Sequence, residues 1–413
     1  MTSPLFQPLK LPNGAIIRNR LAKAAMEENM ADHNHAPGTK LWRLYEAWNK
    51  GGAGLIITGN VMIDAKAMTG PGGVVLQDDS QIDKFVRWAN GAKGADTQVW
   101  VQLNHPGRQV YAAMGQQAIG PSAVAVDIPG FSKMFAKPRA MTVAEIQDVI
   151  QRFVRSAKLA QQAGFTGVEI HAAHGYLLSQ FLSPITNKRT DEWGGSLPNR
   201  ARLLVEVVNQ VRAAVEPGFC VGVKLNSADF QRGGFDAEDA GQVVGLLNHL
   251  GVDLVELSGG SYEAPAMQGQ TRDGSTLKRE AYFLEFAQHI AKTASMPLMI
   301  TGGIRRRAVA EQVISSGIAM AGMATALALD PGLPERWRQG LDAQASLPAV
   351  RWKNKTLSAA ATMSLTKLQL DLVSEDKPPR PHASPLCSFV GGQIHTHLLT
   401  RQYRRWIASQ HTT

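Results

Sequence analysis

The run GVEIHAAHGYLLSQFLSPITNKRTDEWGG, residues 167–195, carries the groups best suited to chemistry. An apolar strand pattern breaks off into His171, His174 and Tyr176, two imidazoles and a phenol within six residues. Three readings of the histidine pair are open. Both rings can be structural, satisfied by backbone carbonyls at the edge of a core. They can ligate a metal, since imidazole is the commonest ligand, although no carboxylate or histidine cluster stands beside them at recognisable spacing. Or both can donate hydrogen bonds to one substrate oxygen, polarising a carbonyl and accommodating the negative charge it gains in the transition state. In that third reading Tyr176 faces the other end of a conjugated system as proton donor, which suits an α,β-unsaturated carbonyl. Such a reduction needs a hydride that no side chain supplies, so a nicotinamide or flavin must be bound.

The elements that would position these residues recur along the chain. Short apolar runs appear at 20–26, 54–60, 98–104, 167–173, 220–226, 254–260, 297–303 and 319–325. Amphipathic helical patterns lie between them. One runs from an N-cap at Thr142, with Glu145 three residues on, to Gly164. Others span 196–215 and 236–251. Eight βα units in series with near-continuous apolar strands predict an α/β fold, a (β/α)8 TIM barrel, over residues 1–340, followed by a helical extension over 341–413. An open nucleotide-binding sheet would carry a GxGxxG or GxxxxGK[ST] turn, and neither occurs. Chemistry in such a barrel gathers at the carboxyl ends of the strands. Gln102, Asn104 and His105 stand at the third of these ends, the histidine pair and Tyr176 at the fourth, Lys224 and Asn226 at the fifth, and Thr301, Gly302 and Gly303 at the seventh.

Composition sets the frame. The 413 residues are 44% apolar and 19% charged, as in a globular protein, and no secretory pattern follows Met1. The most apolar window, from Val313, is built of Ala, Gly, Ser and Met and reads as a buried strand rather than a membrane span. Two distant cysteines, Cys220 and Cys387, form no CxxC motif, and a reduced, cytoplasmic protein is expected. Of the +9 net charge, nine Lys or Arg against three acids place +6 beyond residue 350. That tail lacks a dense basic run, so solvated surface is expected rather than a nucleic-acid or membrane partner.

The run from His171 to Arg200 resembles the signature of the old yellow enzyme family of FMN-dependent ene-reductases. The resemblance extends to NRLAKAAM, QLNHPGR, VKLNSADF and ITGGIRRRAVAEQVI, and covers roughly residues 5–340. It implies that Gln102 bonds the polar edge of the isoalloxazine and that Lys224 stands near flavin N1 and O2, where a cation stabilises the reduced, anionic flavin. It implies further that His171 and His174 bind the substrate oxygen and that Tyr176 donates the proton. Ala25, Met26, Glu27 and Gly59 fall at the flavin-facing ends of the first two strands. Gly302, Gly303, Ala324 and Thr325 fall at the phosphate end.

The departures from the family pattern matter as well. Ala25 replaces the usual proline and Glu27 the usual Thr or Cys that tunes the flavin. A carboxylate there would repel reduced flavin unless it is protonated or turned away. Ala324-Thr325 replaces Gly-Arg, leaving Arg305 as the candidate phosphate clamp. Trp193 replaces a common Tyr, a packing change. Neither clustered cysteines nor a second nucleotide-binding module follows the barrel, so electrons are expected from NADH or NADPH directly, or from a partner protein. The expected reaction is ping-pong reduction of an enone or related activated alkene, with Tyr262 and Met267 lining the pocket. Open alternatives are an aromatic-ring or acyl-CoA reductase, an amine-oxidising relative, and a flavin-free barrel that binds rather than reacts. The extension is expected to pack across the barrel or onto another subunit of a homo-oligomer.

Overall fold

The computed structural model describes residues 3–266 and 280–410. Eight of the nine strands in its main sheet close a parallel barrel: β1 (Leu21–Lys23), β2 (Leu55–Met62), β3 (Gln98–Asn104), β4 (Gly167–Ala172), β5 (Cys220–Asn226), β6 (Leu254–Ser258), β7 (Leu298–Ile300) and β8 (Met320–Met323). The ninth, Val74–Val75, lies beside the end of β2. Closure comes from β8 pairing with β1, Ala321 opposite Leu21. Every strand expected from the apolar runs is present. Those expected at 20–26, 254–260, 297–303 and 319–325 are shorter.

The strands read as continuous apolar runs because both faces are covered. Outward side chains meet the helices α1 (Thr39–Lys50), α2 (Ile82–Lys93), α3 (Val143–Gln162), α4 (Leu177–Leu182), α5 (Leu197–Ala214), α6 (Ala237–Leu247), α7 (Leu284–Ile290) and α8 (Arg307–Ser315). α3 begins with the expected capping box, Thr142 accepting from the Glu145 amide while the Glu145 carboxylate accepts from that of Thr142. Inward, Ala22, Leu55, Ile57, Trp100, Leu254, Met299 and Met320 form a separate apolar plug. An antiparallel pair of two-residue strands, Leu9–Lys10 and Ile16–Ile17, seals it, with Leu9, Leu11 and Ile17 joining the plug.

After β8 come the short α9 (Thr325–Leu329) and α10 (Leu333–Arg338), then two long helices, α11 (Lys355–Ser374) and α12 (Pro385–Ser409). The basic helix expected from LLTRQYRRWIASQ is the second half of α12, which Ser384 caps much earlier. α11 buries Leu370 and Val373 in the same core as the barrel helices. α12 buries Tyr403 and Ile407 against Met62, Ala65 and Met68, beyond the end of β2. The extension therefore packs across the barrel's own mouth. Among the described residues no helix is long and apolar enough to cross a membrane.

Candidate functional site

Side chains facing into the barrel alternate with those facing the helices, so each strand sends a column of groups up the axis. Trp100 fills the floor, and a Cβ on Gly167 or Gly222 would fall 2.8 or 2.7 Å from its ring, which is why both neighbours are glycine. One pleat higher, Gln102, Glu169, Lys224 and Glu256 form a buried polar layer. Gln102 Nε2 donates to Glu169 Oε2 at 2.6 Å. Lys224 Nζ donates to Glu256 Oε1 at 2.6 Å, the two side chains being 4% and 0% exposed. Burial, reinforced by Glu256, pushes Glu169 well above the carboxylate range, so it keeps its proton and the layer stays near neutrality.

The third layer holds Asn104, His171, Asn226 and Ser258. His171 Nδ1 accepts the Ala173 amide at 3.2 Å, which puts the ring proton on Nε2. His174 lies just beyond β4 in the left-handed region, φ 60°. Two neighbouring strands hold it there: its amide donates to Asn226 Oδ1 at 3.0 Å, and its Nε2 meets Ser258 Oγ at 2.8 Å. The two imidazoles stand edge to face with centroids 5.0 Å apart, and His171 meets the Tyr176 ring in the same way at 4.9 Å. Tyr176 precedes α4, which is tied down by the Gln180 amide donating to the carbonyls of Pro106 and Gly175. Its hydroxyl is 2.9 Å from that of Tyr262. Phe135 stacks on Tyr111 and tilts toward Tyr262, completing an aromatic wall. Met267, expected in the same wall, lies outside the described residues.

Protonation states follow from burial. Desolvation, with Lys224 nearby, holds both imidazoles well below the ordinary histidine range, so both are neutral near pH 7. Burial pushes the Tyr176 and Tyr262 hydroxyls well up, and the Glu27 carboxylate pushes them further, so both keep their protons. Tyr111 rises to about 12 for the same two reasons. For the histidines the sign is definite. Above pH 6.5 folded and unfolded chains both hold the rings neutral, whereas below it the unfolded chain takes up protons that the folded one refuses. Relative to a His171→Asn/His174→Asn double variant, the wild type should lose about 1.4 kcal/mol per pH unit for each imidazole below 6.5. Chemical denaturation of both proteins between pH 8 and pH 5 measures it. A pH-independent difference would show that the rings are not buried neutral.

The remaining expected residues fall in two places. Glu27 is held at both carboxylate oxygens: its Oε1 accepts the Thr69 hydroxyl at 2.7 Å, and its Oε2 lies 3.8 Å from Lys367 Nζ of α11. Gly59 is accounted for by protein packing, since a Cβ there would fall 1.9 Å from Glu28 Oε2 and 2.3 Å from the Met26 carbonyl. Ala25 is half-buried beside the apolar plug. At the corner where β7 and β8 end, Gly302 and Gly303 adopt φ 113° and 75°. A Cβ on Gly303 would meet the Tyr282 hydroxyl at 2.5 Å. Arg305 is half-exposed and pairs with Glu280 at 2.9 Å, so a phosphate there would share the guanidinium with that carboxylate. Ala324 and Thr325 open α9.

Sequence reading missed Glu169, Glu256, Glu28 and Lys23. Lys23 points outward from β1 and is fully buried over the Tyr45 and Trp48 rings, its Nζ donating to the Ile57 carbonyl at 2.8 Å. Burial lowers it to about 8. For Lys23, Glu169 and Glu256 the available signal was a charge inside an apolar strand pattern; Glu28 lies in the loop after β1 and offered none.

A flat cofactor with polar edges and a phosphate fits this mouth. Both side-chain atoms of the buried Asn104 and the Oε2 of Glu256 lack a hydrogen-bond partner. Lys224 and Gln102 provide a cation and an amide beside them. Among the described residues no group of three or more His, Cys, Asp or Glu gathers for a metal.

Known proteins agree with that fit. The chain is 39% identical over 354 residues to the NADH-dependent flavin oxidoreductase iliE of Neonectria sp., covering 80% of this chain but only 46% of that protein. It is 37% identical over 350 residues to the iliE protein of Hypocrea jecorina, covering 79% of this chain and 87% of the relative. The old yellow enzyme homologue of Zymomonas mobilis superposes with a TM-score of 0.71 at 25% identity, over 82% of this chain and 94% of that one. With the model of the NADH:flavin oxidoreductase / NADH oxidase family matching residues 4–344, the chain belongs to that family, the FMN-dependent NAD(P)H oxidoreductases that include old yellow enzyme.

Proposed function

We propose that this protein reduces the C=C bond of α,β-unsaturated carbonyl compounds, with NADH or NADPH as reductant and one pocket serving both in turn. The observation that carries the reading is the trio of His171, His174 and Tyr176. Two neutral imidazoles stand side by side, and an un-ionised phenol lies against one of them.

Bound FMN would supply the hydride chemistry, relaying a hydride from the nicotinamide to the substrate's β-carbon. The chain's own residues do the rest. Gln102, whose Nε2 is held by Glu169, would accept through Oε1 from the polar edge of the ring system. Lys224, fixed by Glu256, presents its charge to the pyrimidine end. Gly302, Gly303, Arg305, Ala324 and Thr325 would take the phosphate end, and Ala25, Met26 and Glu27 would border the opposite rim. His171 donates from Nε2 to the substrate oxygen. His174 donates from Nδ1 when its Nε2 accepts the Ser258 hydroxyl, so two fixed dipoles meet the growing negative charge. Tyr176 gives its phenolic proton to the α-carbon, and the Tyr262 hydroxyl holds it in line. The aromatic wall keeps water from that proton.

Initial rates with NADH and 2-cyclohexenone varied together test the alternation. Parallel double-reciprocal lines are expected, because one substrate must leave before the other enters. Intersecting lines would require both to be bound at once and would end the single-pocket reading.

A further inference from the structure

We infer that the C-terminal extension completes the redox site: Lys367, on α11, is a positioning residue that holds the Glu27 carboxylate to one side of the mouth. This rests on reading the mouth as the flavin site.

Glu27 occupies the loop after β1 and acts electrostatically on Tyr111, Tyr176 and Tyr262, so its charge is felt throughout the pocket. Left alone, an anion there would oppose the negative charge that accompanies flavin reduction. Two groups hold it. Thr69, from the loop after β2, donates its hydroxyl to Oε1 at 2.7 Å. Lys367 approaches Oε2 at 3.8 Å and donates to Asn29 Oδ1, two residues further along the same loop. Asn29 itself adopts φ 56°, a left-handed turn that brings its side chain back to the lysine.

The lysine comes from a helix that cannot drift. α11 buries Leu365, Leu370 and Val373, and its far end is pinned where Lys40 of α1 meets Asp371 at 2.8 Å and Glu375 at 3.1 Å. The Gln369 side chain ties α11 to the start of the next segment, accepting the Arg380 amide at 2.6 Å. α12 then grips both loops that carry Glu27 and Thr69. Tyr403 donates to the Ala65 carbonyl at 2.9 Å, and Trp406 packs on the His35 ring with centroids 4.3 Å apart. Lys367 also lies beyond residue 344, where the family match ends, so the carboxylate at the mouth and the cation that answers it are supplied by different parts of the chain. A lysine 37% exposed and a carboxylate 25% exposed are partly screened, and a moderate effect follows.

The experiment is a set of FMN midpoint potentials, measured by equilibrium titration of the full-length holoprotein against a reference dye. The Lys367→Met variant should show a tenfold smaller equilibrium constant for reduction, about 30 mV lower for a two-electron couple. Lys367→Arg should restore the wild-type value. In a Glu27→Gln background, Lys367→Met should change nothing beyond twofold, because the carboxylate it positions is gone and the lysine's own charge is screened by solvent. An equal shift in both backgrounds, or no shift in either while FMN stays bound, would overturn the inference and leave the flavin site standing. A wild-type protein that takes up no FMN would remove the inference together with the reading beneath it.

Discussion

Replacing Tyr176 with phenylalanine should slow reoxidation of the reduced protein by an enone by about 10²- to 10⁴-fold, the range expected for loss of a positioned proton donor. Reduction of the flavin by NADH should stay within about twofold of wild type, because that half-reaction moves a hydride and uses no proton from this phenol. The substitution is mild for the fold. It removes one hydroxyl, whose partner at 2.9 Å is the Tyr262 hydroxyl. The ring, which packs edge to face on His171, remains. Tyr262→Phe is the control, and it should cost far less, since Tyr262 orients the donor without being one. Rapid-mixing measurement of the two half-reactions separates these outcomes. Equal loss in both would mean that Tyr176 shapes the pocket and gives no proton.

The second large effect belongs to the histidine pair. Removing either His171 or His174 by substitution with alanine should cost about 10²- to 10³-fold in enone reduction, as for loss of one donor at a developing oxyanion. The two losses should not add fully, since both donors act on one oxygen. The geometry distinguishes their supports. His171 keeps its tautomer through the Ala173 amide, a contact within β4 and its turn. His174 depends on Ser258, one strand beyond the neighbouring β5. Ser258→Ala should therefore weaken His174 alone, by freeing its Nε2 to carry the proton in place of Nδ1. The same rate measurement with Ser258→Ala, His174→Ala and the double variant reads this coupling. Full additivity of Ser258→Ala and His174→Ala would show that the serine acts elsewhere.

Much of the fold was legible because it is written in local periodicity. The runs that became β3 and β5 have the expected limits, and the Thr142-Glu145 capping box stands where its spacing put it. The crowding of His171, His174 and Tyr176 was legible too, because these residues are neighbours in sequence and need only a strand end to present them. The polar layer was not. Glu169 and Glu256 sit in GVEIHAA and LVELSGG, where a single acid looks like noise in an apolar run; their meaning lies in Gln102 and Lys224 on adjacent strands. The reach of the extension was equally hidden. Lys367 meets Asn29 across 338 residues, and Tyr403 meets Ala65 across the same separation, distances that no local pattern encodes. Arg305 shows the converse: its position beside the glycine turn was readable, but its engagement with Glu280 was not.

A visible spectrum follows the reduction and reoxidation of the flavin directly. Purified protein reconstituted with FMN is reduced anaerobically with NADH or NADPH and then given 2-cyclohexenone. The flavin band should bleach with the nicotinamide and return with the enone, one equivalent of saturated ketone appearing per flavin. A band that bleaches and stays bleached would contradict enone reduction as the work of His171, His174 and Tyr176.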